Sequence, residues 1–309
     1  MNTDKRRFIN LCGAVGLLLL FTFSGLTQTP DSSNVNKRPQ TDSAKSVAKL
    51  VASGTESFDS KLMSREMPYR VILPSNYQKS NEASRYSVIY LLHGLTGNFA
   101  NWADKTKLAV FAEGHNFIIV MAEGGNGWYT DSISVPNDKY ESYIIKELIP
   151  EIDKKYRTIA NRDHRFIAGL SMGGYGAIKF GLKYPELFSL VGSFSGALGV
   201  TSFTEKNAGN IGKGIDTIFG AIDSETRKNN DIFKIIREMT AEKQKSIPYI
   251  YQSCGTEDFL IQNNRDFLAL LNEKKVPHEY RELPGGHTWQ FWDDQVREFL
   301  TLAERRMRK

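Results

Sequence analysis

Residues 165–182 read Arg165-Phe166-Ile167-Ala168-Gly169-Leu170-Ser171-Met172-Gly173-Gly174-Tyr175-Gly176-Ala177-Ile178-Lys179-Phe180-Gly181-Leu182. The apolar run before Gly169 has the composition of a short buried strand, and Tyr175 to Leu182 that of a helix. Between them lies a G-x-S-x-G pentapeptide centred on Ser171. A strand, a tight turn with a central serine, then a helix is the context that gives this pattern chemical meaning. The turn holds the serine in a strained backbone conformation, and side chains two positions before and after it would clash. Gly169 and Gly173 meet that requirement. The helix that follows aims its free N–H groups and positive dipole end at the serine oxygen. A glycine-rich turn that merely lets a helix pack closely on a sheet would look the same, so the rest of the chain has to decide.

A serine hydroxyl is a poor nucleophile at neutral pH and needs a base within hydrogen-bond reach. Histidine suits that task, and an acid on its far ring nitrogen fixes the tautomer. Downstream, Ile247 to Gly255 reads as a strand ending in a turn, followed at once by Thr256, Glu257 and Asp258. His278 to Leu283 reads as the last strand, and Pro284-Gly285-Gly286-His287-Thr288-Trp289 as a loop into a final helix with Trp292, Val296 and Leu300 on one face. The order serine, acid, histidine at successive strand ends makes Ser171, Asp258 and His287 the candidate catalytic residues. Glu257 is the neighbouring alternative acid; Asp258 fits better by its offset from the strand. The other histidines compete less well: His93 ends a buried strand, His115 is near a helix end, His164 precedes the serine strand and His278 begins a strand.

Upstream, Tyr86 to Leu92 is apolar on both faces, as in the centre of a mostly parallel sheet. It runs into His93-Gly94-Leu95-Thr96-Gly97 and a helix expected over 98–113. Such a loop can supply one backbone donor of an oxyanion hole, the second coming from the residue after the nucleophile. Those N–H groups are Leu95 and Met172, while His93 reads as a structural residue fixing the loop. Phe117 to Met121 is another buried strand. The loop after it, Glu123 to Asp131, is glycine-rich and carries Trp128 and Tyr129, two candidate substrate-pocket walls that could equally cap the core. A helical pattern over 140–156 contains Pro150 as an interruption. Residues 197–245 are the least regular stretch, with a clear helical pattern only over 231–240. Lying between two sheet strands, they read as an insertion, either a pocket wall or a surface excursion.

The chain of 309 residues is 40% hydrophobic and 24% charged with a net charge of +5. That suits one large α/β domain. Basic residues are scattered among acids, which argues against a nucleic-acid surface. Lys5-Arg6-Arg7 followed by an apolar stretch from Leu11 to Phe23 marks residues 1–25 as a signal peptide, or as a membrane anchor if uncleaved. Residues 26–46 are polar and aperiodic and read as a flexible linker, leaving 47–309 as the catalytic domain. Of the two cysteines, Cys12 lies in the apolar leader, so the exported domain would hold only Cys254, read as a small core residue.

Alternating strands and helices imply a mostly parallel central sheet with helices on both faces, in three layers. Five segments carry a resemblance beyond that: Leu91-Leu92-His93-Gly94-Leu95-Thr96-Gly97-Asn98, Gly127-Trp128-Tyr129-Thr130-Asp131, Ala168 to Ala177, Cys254-Gly255-Thr256-Glu257-Asp258-Phe259 and Gly285-Gly286-His287. In register over 47–305, they resemble the putative-esterase (esterase D-like) family of α/β-hydrolases, most of all its bacterial tributyrin-type and feruloyl esterases. The resemblance implies an α/β-hydrolase fold, Ser171, Asp258 and His287 as triad, and Leu95 and Met172 as oxyanion donors. It also implies a small-molecule or carbohydrate ester as substrate, with no metal or cofactor. The expected function is an exported, secreted or periplasmic serine carboxylesterase. Alternatives are acyl transfer to a sugar, as in the mycolyltransferase branch, an S-formylglutathione-hydrolase-like thioesterase, and an inactive carbohydrate-binding envelope protein.

Overall fold

Four strands are buried along their whole length: Ser87–Leu92 (β3), Phe117–Ala122 (β4), Arg165–Leu170 (β5) and Leu190–Phe194 (β6). Strands apolar on both faces belong in the middle of a sheet covered on both sides, and the computed structural model places them there. It describes residues 53–307; the leader, the linker and the first residues of the catalytic region lie outside that range. The sheet has eight strands. Ser53–Ser60 (β1), Arg65–Ile72 (β2), Tyr249–Gly255 (β7) and His278–Leu283 (β8) complete it, in the order β1-β2-β4-β3-β5-β6-β7-β8. The two N-terminal strands pair antiparallel, with each other and onto β4; the remaining pairs are parallel.

The sheet separates two apolar cores. One contains Ile167, Val191, Ile178, Phe180, Tyr175 and Trp128, under the helix that follows β5 (Met172–Lys183). The other contains Leu91, Phe166, Phe194 and Tyr251 against Trp292, Val296, Phe299 and Leu300 of the C-terminal helix (Trp289–Met307). The side chains expected to share one face of that helix do so. Burying an aliphatic or aromatic side chain of this size stabilises by about 1.5–3 kcal/mol each, so these two layers fix the strand ends that carry the site.

Two helical readings need correction. The helix expected over 98–113 is two short helices, Asn101–Lys105 and Leu108–Ala112. The break falls at Thr106, which is extended and whose hydroxyl donates back to the Trp102 carbonyl and accepts from the Leu108 N–H. A threonine bonding locally to backbone in this way competes with helix continuation. At Pro150, by contrast, the chain stays helical. Tyr140–Tyr143 runs into a π-helical stretch, Ile144–Leu148, and then into Ile149–Lys155. Proline lacks the N–H for the preceding turn and its ring crowds that turn's carbonyl; one widened π turn absorbs both effects. Residues 197–246 hold a 3-10 turn, Val200–Ser202, and four α-helices, Glu205–Phe219, Glu225–Asn229, Ile232–Arg237 and Ala241–Ser246.

Lys179 is fully buried on the helix after β5. Its ammonium donates to the Tyr129 carbonyl (2.5 Å), the Thr130 hydroxyl (2.7 Å) and the Glu141 carboxylate (2.9 Å). Glu141 also accepts from Lys183 (2.6 Å) and the Tyr184 hydroxyl (2.7 Å). The loop carrying Trp128 and Tyr129, both at positive φ, is thus tied to the helix below it by a buried charge. Burial alone would push the Glu141 carboxyl up, but Lys179 and Lys183 outweigh it and hold it at about 2, against an ordinary 4.5. A depressed carboxylate adds stability above its unfolded value and loses it as pH falls through the folded one. Glu141→Gln is therefore expected to lose about 3 kcal/mol at neutral pH in urea unfolding. The gap to wild type should close between pH 4.5 and about 2. A gap that persists at the acid end would contradict the assignment.

Candidate active site

Ser171 sits at the end of β5 with φ 52° and ψ −116°. Only backbone hydrogen bonds and missing side chains keep a serine there. Its N–H donates to the Phe194 carbonyl (2.9 Å), and its carbonyl accepts from Tyr175 and Ala197 (3.1 Å each). A Cβ on Gly169 would lie 2.4 Å from the Gly173 carbonyl carbon, and one on Gly173 2.4 Å from the Leu92 carbonyl oxygen. Both glycines flanking the serine are therefore required by backbone crossing backbone, as the pentapeptide implies.

The acid and the histidine come from neighbouring turns that hold each other. Glu257 N–H donates to Gly285 O (3.0 Å) and Thr256 N–H to Leu283 O (2.9 Å). Gly255 lies so close to Gly285 that a Cβ would stand 2.0 Å from the Gly285 carbonyl oxygen, and Gly285 itself has φ 136°. His287 Nδ1 is 2.8 Å from Asp258 Oδ2, and its Nε2 is 3.0 Å from Ser171 Oγ. The second Asp258 oxygen accepts from Leu260 N–H at 2.8 Å. Burial pushes the Asp258 carboxyl up, but hydrogen bonds from His287 and the Leu260 N–H outweigh it and hold it below the usual carboxylate range. Glu257, the alternative acid, is exposed on the surface. A continuous hydroxyl–imidazole–carboxylate chain of this kind can draw the serine proton onto the histidine while the carboxylate stabilises the resulting cation. Phe259 and Trp292 flank the imidazole, their ring centroids 4.6 and 4.9 Å away.

The serine and histidine open into a cavity of about 270 Å³. Leu95 lines it, on a loop where Thr96 has φ 63° and donates its N–H to Asn126 Oδ1 (2.8 Å). Met172 is the first residue of the helix after the turn, where N–H groups lack an intrahelical acceptor. Among the described residues neither the Leu95 nor the Met172 N–H is paired with a protein acceptor. His93 stays behind the loop: its Nε2 accepts from Gly124 N–H (2.9 Å) and its Nδ1 is 2.8 Å from Gly94 O. His115, His164 and His278 bind Glu304, Ser87 and the Val276 carbonyl, away from the cavity.

Trp128 and Tyr129 part company. Trp128 lines the cavity, whereas the Tyr129 ring is fully buried and its hydroxyl donates to the His93 carbonyl at 2.9 Å. Cys254 is buried, and burial pushes its thiol up to about 12, as suits a core residue. Several cavity residues are not read as site residues from the sequence, among them Phe203, Ile211, Phe259 and Trp289. Phe259 and Trp289 adjoin the acid and the histidine, a positional signal that was available. Phe203 and Ile211 lie in the insertion, where nothing local points to the site.

The sequence matches the model of the family described as "Putative esterase" over residues 60–301. An acetyl esterase of Caldicellulosiruptor saccharolyticus is 30% identical over 250 residues, which is 78% of this chain and 93% of that protein. Esterase Rv1288 of Mycobacterium tuberculosis is 30% identical over 241 residues, 71% of this chain; the chain spans about half, 52%, of that relative. Among solved structures, a ferulic acid esterase superposes with TM-score 0.72 and 27% identity, covering 83% of this chain and 99% of that one. An S-formylglutathione hydrolase of Staphylococcus aureus does so with TM-score 0.72 and 26% identity, covering 82% and 98%. With this site on this sheet, and with these relatives, the chain belongs to the putative-esterase family of α/β-hydrolases and is a serine ester hydrolase.

Proposed function

We propose that the protein is an exported carboxylesterase acting on short-chain acyl or carbohydrate-linked esters, with Ser171 as nucleophile, His287 as general base and acid, and Asp258 as the orienting carboxylate. The observation that carries this reading is the unbroken chain Ser171–His287–Asp258, at 3.0 and 2.8 Å, opening into the cavity. His287 takes the Ser171 proton as Oγ attacks the ester carbonyl. The tetrahedral oxyanion is held by the N–H groups of Leu95 and Met172, neither paired with a protein acceptor among the described residues. Collapse expels the alcohol, which leaves with the proton from His287. Water, deprotonated by His287, then attacks the acyl-enzyme, and the carboxylic acid departs as Ser171 recovers its proton.

The substrate class draws support from the relatives. They include an acetyl esterase, a ferulic acid esterase, and a bifunctional xylanase/feruloyl esterase of Xylanibacter ruminicola that is 38% identical over 137 residues, 41% of this chain and 19% of that protein. The basic, then apolar, leader supports export: residues 1–25 serve as signal or anchor, 26–46 as linker and 47–309 as the catalytic domain.

Ser171→Ala is expected to lower kcat on short-chain p-nitrophenyl esters by roughly 10⁶-fold. Asp258→Asn should lower it by roughly 10⁴-fold, while Glu257→Gln behaves as wild type. Steady-state kinetics on the purified catalytic domain checks all three. An active Ser171→Ala protein, or a Glu257→Gln protein as impaired as Asp258→Asn, would sink the assignment.

A further inference from the structure

The two halves of the cavity wall differ in chemistry. Leu95, Trp128, Ala197, Phe203 and Leu260 belong to or pack on the core under the helix after β5. On the other side stand Trp289 and Trp292, part of the opposite core, with Asn101 and the exposed Lys105, whose ammonium lies 5.3 Å from the centre of the Trp289 ring. Both sides carry aromatic rings, but the first is otherwise aliphatic, while the second is rimmed by an amide and an ammonium. The acyl group of an ester of the proposed class is the less polar part, and its sugar alcohol the more polar part.

The apolar side is completed by the insertion. Phe203 and Ile211 flank a kink at Gly209, where φ is 55° and ψ −134° inside an otherwise helical run. Gly212 packs against the turn at Thr204, so closely that a Cβ would stand 2.0 Å from its carbonyl carbon. This brings Ile211 back beside Phe203. Ile211 is 48% exposed, so the protein core alone does not account for its place there.

One side chain fixes this arrangement. Arg227 is 1% exposed, and a guanidinium so buried is tolerated only when its donors are matched. Its Nη1 donates to Thr201 O (3.0 Å) and Phe203 O (2.7 Å). Its Nε and Nη2 donate to Gly220 O (3.1 and 2.8 Å), and Nη2 also to the Asp216 carboxylate. The rigid planar fork therefore joins both ends of segment 201–220, one of them at a cavity residue. Lysine, with a single point charge, could not reproduce that set.

We propose that the acyl group of the substrate lies on the side closed by Phe203 and Ile211, that these two residues limit its length, and that Arg227 is their positioning residue. This rests on the esterase reading above. The test measures kcat/KM across p-nitrophenyl acetate, butyrate, hexanoate and octanoate for wild type, Phe203→Ala, Ile211→Ala, Arg227→Lys and the Phe203→Ala/Arg227→Lys pair. A p-nitrophenol burst on acetate counts working serines in each protein. Phe203→Ala and Ile211→Ala should raise the octanoate-to-acetate ratio by about tenfold, the scale of a pocket that gains room for methylenes. Arg227→Lys should move the ratio the same way, and the double variant should go little further than Phe203→Ala alone. An unchanged ratio in Phe203→Ala and Ile211→Ala, with the burst intact, overturns the acyl assignment. Additive effects in the double variant overturn the role of Arg227. Absence of hydrolysis of all four esters by wild type counts instead against the esterase reading, so the two failures are told apart.

Discussion

The close crossing of backbone at the end of β5 is the constraint on which the rest depends. Gly169 touches Gly173, and Gly173 touches the carbonyls of Leu92 and His93. That contact lets the chain reverse from strand to helix within one residue and leaves Ser171 at φ 52°. The same crossing sets the helix that begins at Met172 against the chain at Leu92 and His93 that leads into the loop of Leu95. A second close approach, Gly255 against Gly285, does the equivalent for the acid and the histidine. Two places without side chains thus bring residues separated by 116 positions, Ser171 and His287, into hydrogen-bond contact.

The parts of the site legible in the sequence are those whose signal is local. A serine between two glycines, an acid just past one strand and a histidine in a glycine loop past the next each follow from backbone needs within a few residues. The parallel sheet was legible for a similar reason, because strands covered on both faces are apolar throughout. Segments governed by longer-range effects read less well. A threonine bonding to its own turn divided one expected helix, and a π turn carried another through Pro150. Tyr129 and Trp128 are adjacent, aromatic and both in the core, yet only Trp128 also lines the cavity. The difference is made by distant groups, the His93 carbonyl and the Lys179 ammonium.

The insertion marks the limit of local reading most clearly. Its helices are short, its glycines interrupt any period, and its apolar residues are split between core and cavity. What organises it is Arg227, whose acceptors are mostly backbone carbonyls; a carbonyl leaves no trace in the residue letters. Lys179 belongs to the same category. Both are charges placed where composition would predict apolar side chains, and each holds a loop against the cavity. The proposed reacting groups thus stand on sheet ends and glycine contacts, while the walls around them hang on buried cations.

The central claim is that the turn after β5 makes Ser171 the acyl-accepting nucleophile. Its most direct test is peptide mapping by mass spectrometry after treatment of the folded protein with a fluorophosphonate. The account predicts one adduct per chain, on the peptide containing Ser171, and no adduct after unfolding, when His287 and Asp258 no longer serve the hydroxyl. An adduct on another residue, or an unmodified Ser171 in a protein that still hydrolyses esters, would contradict it.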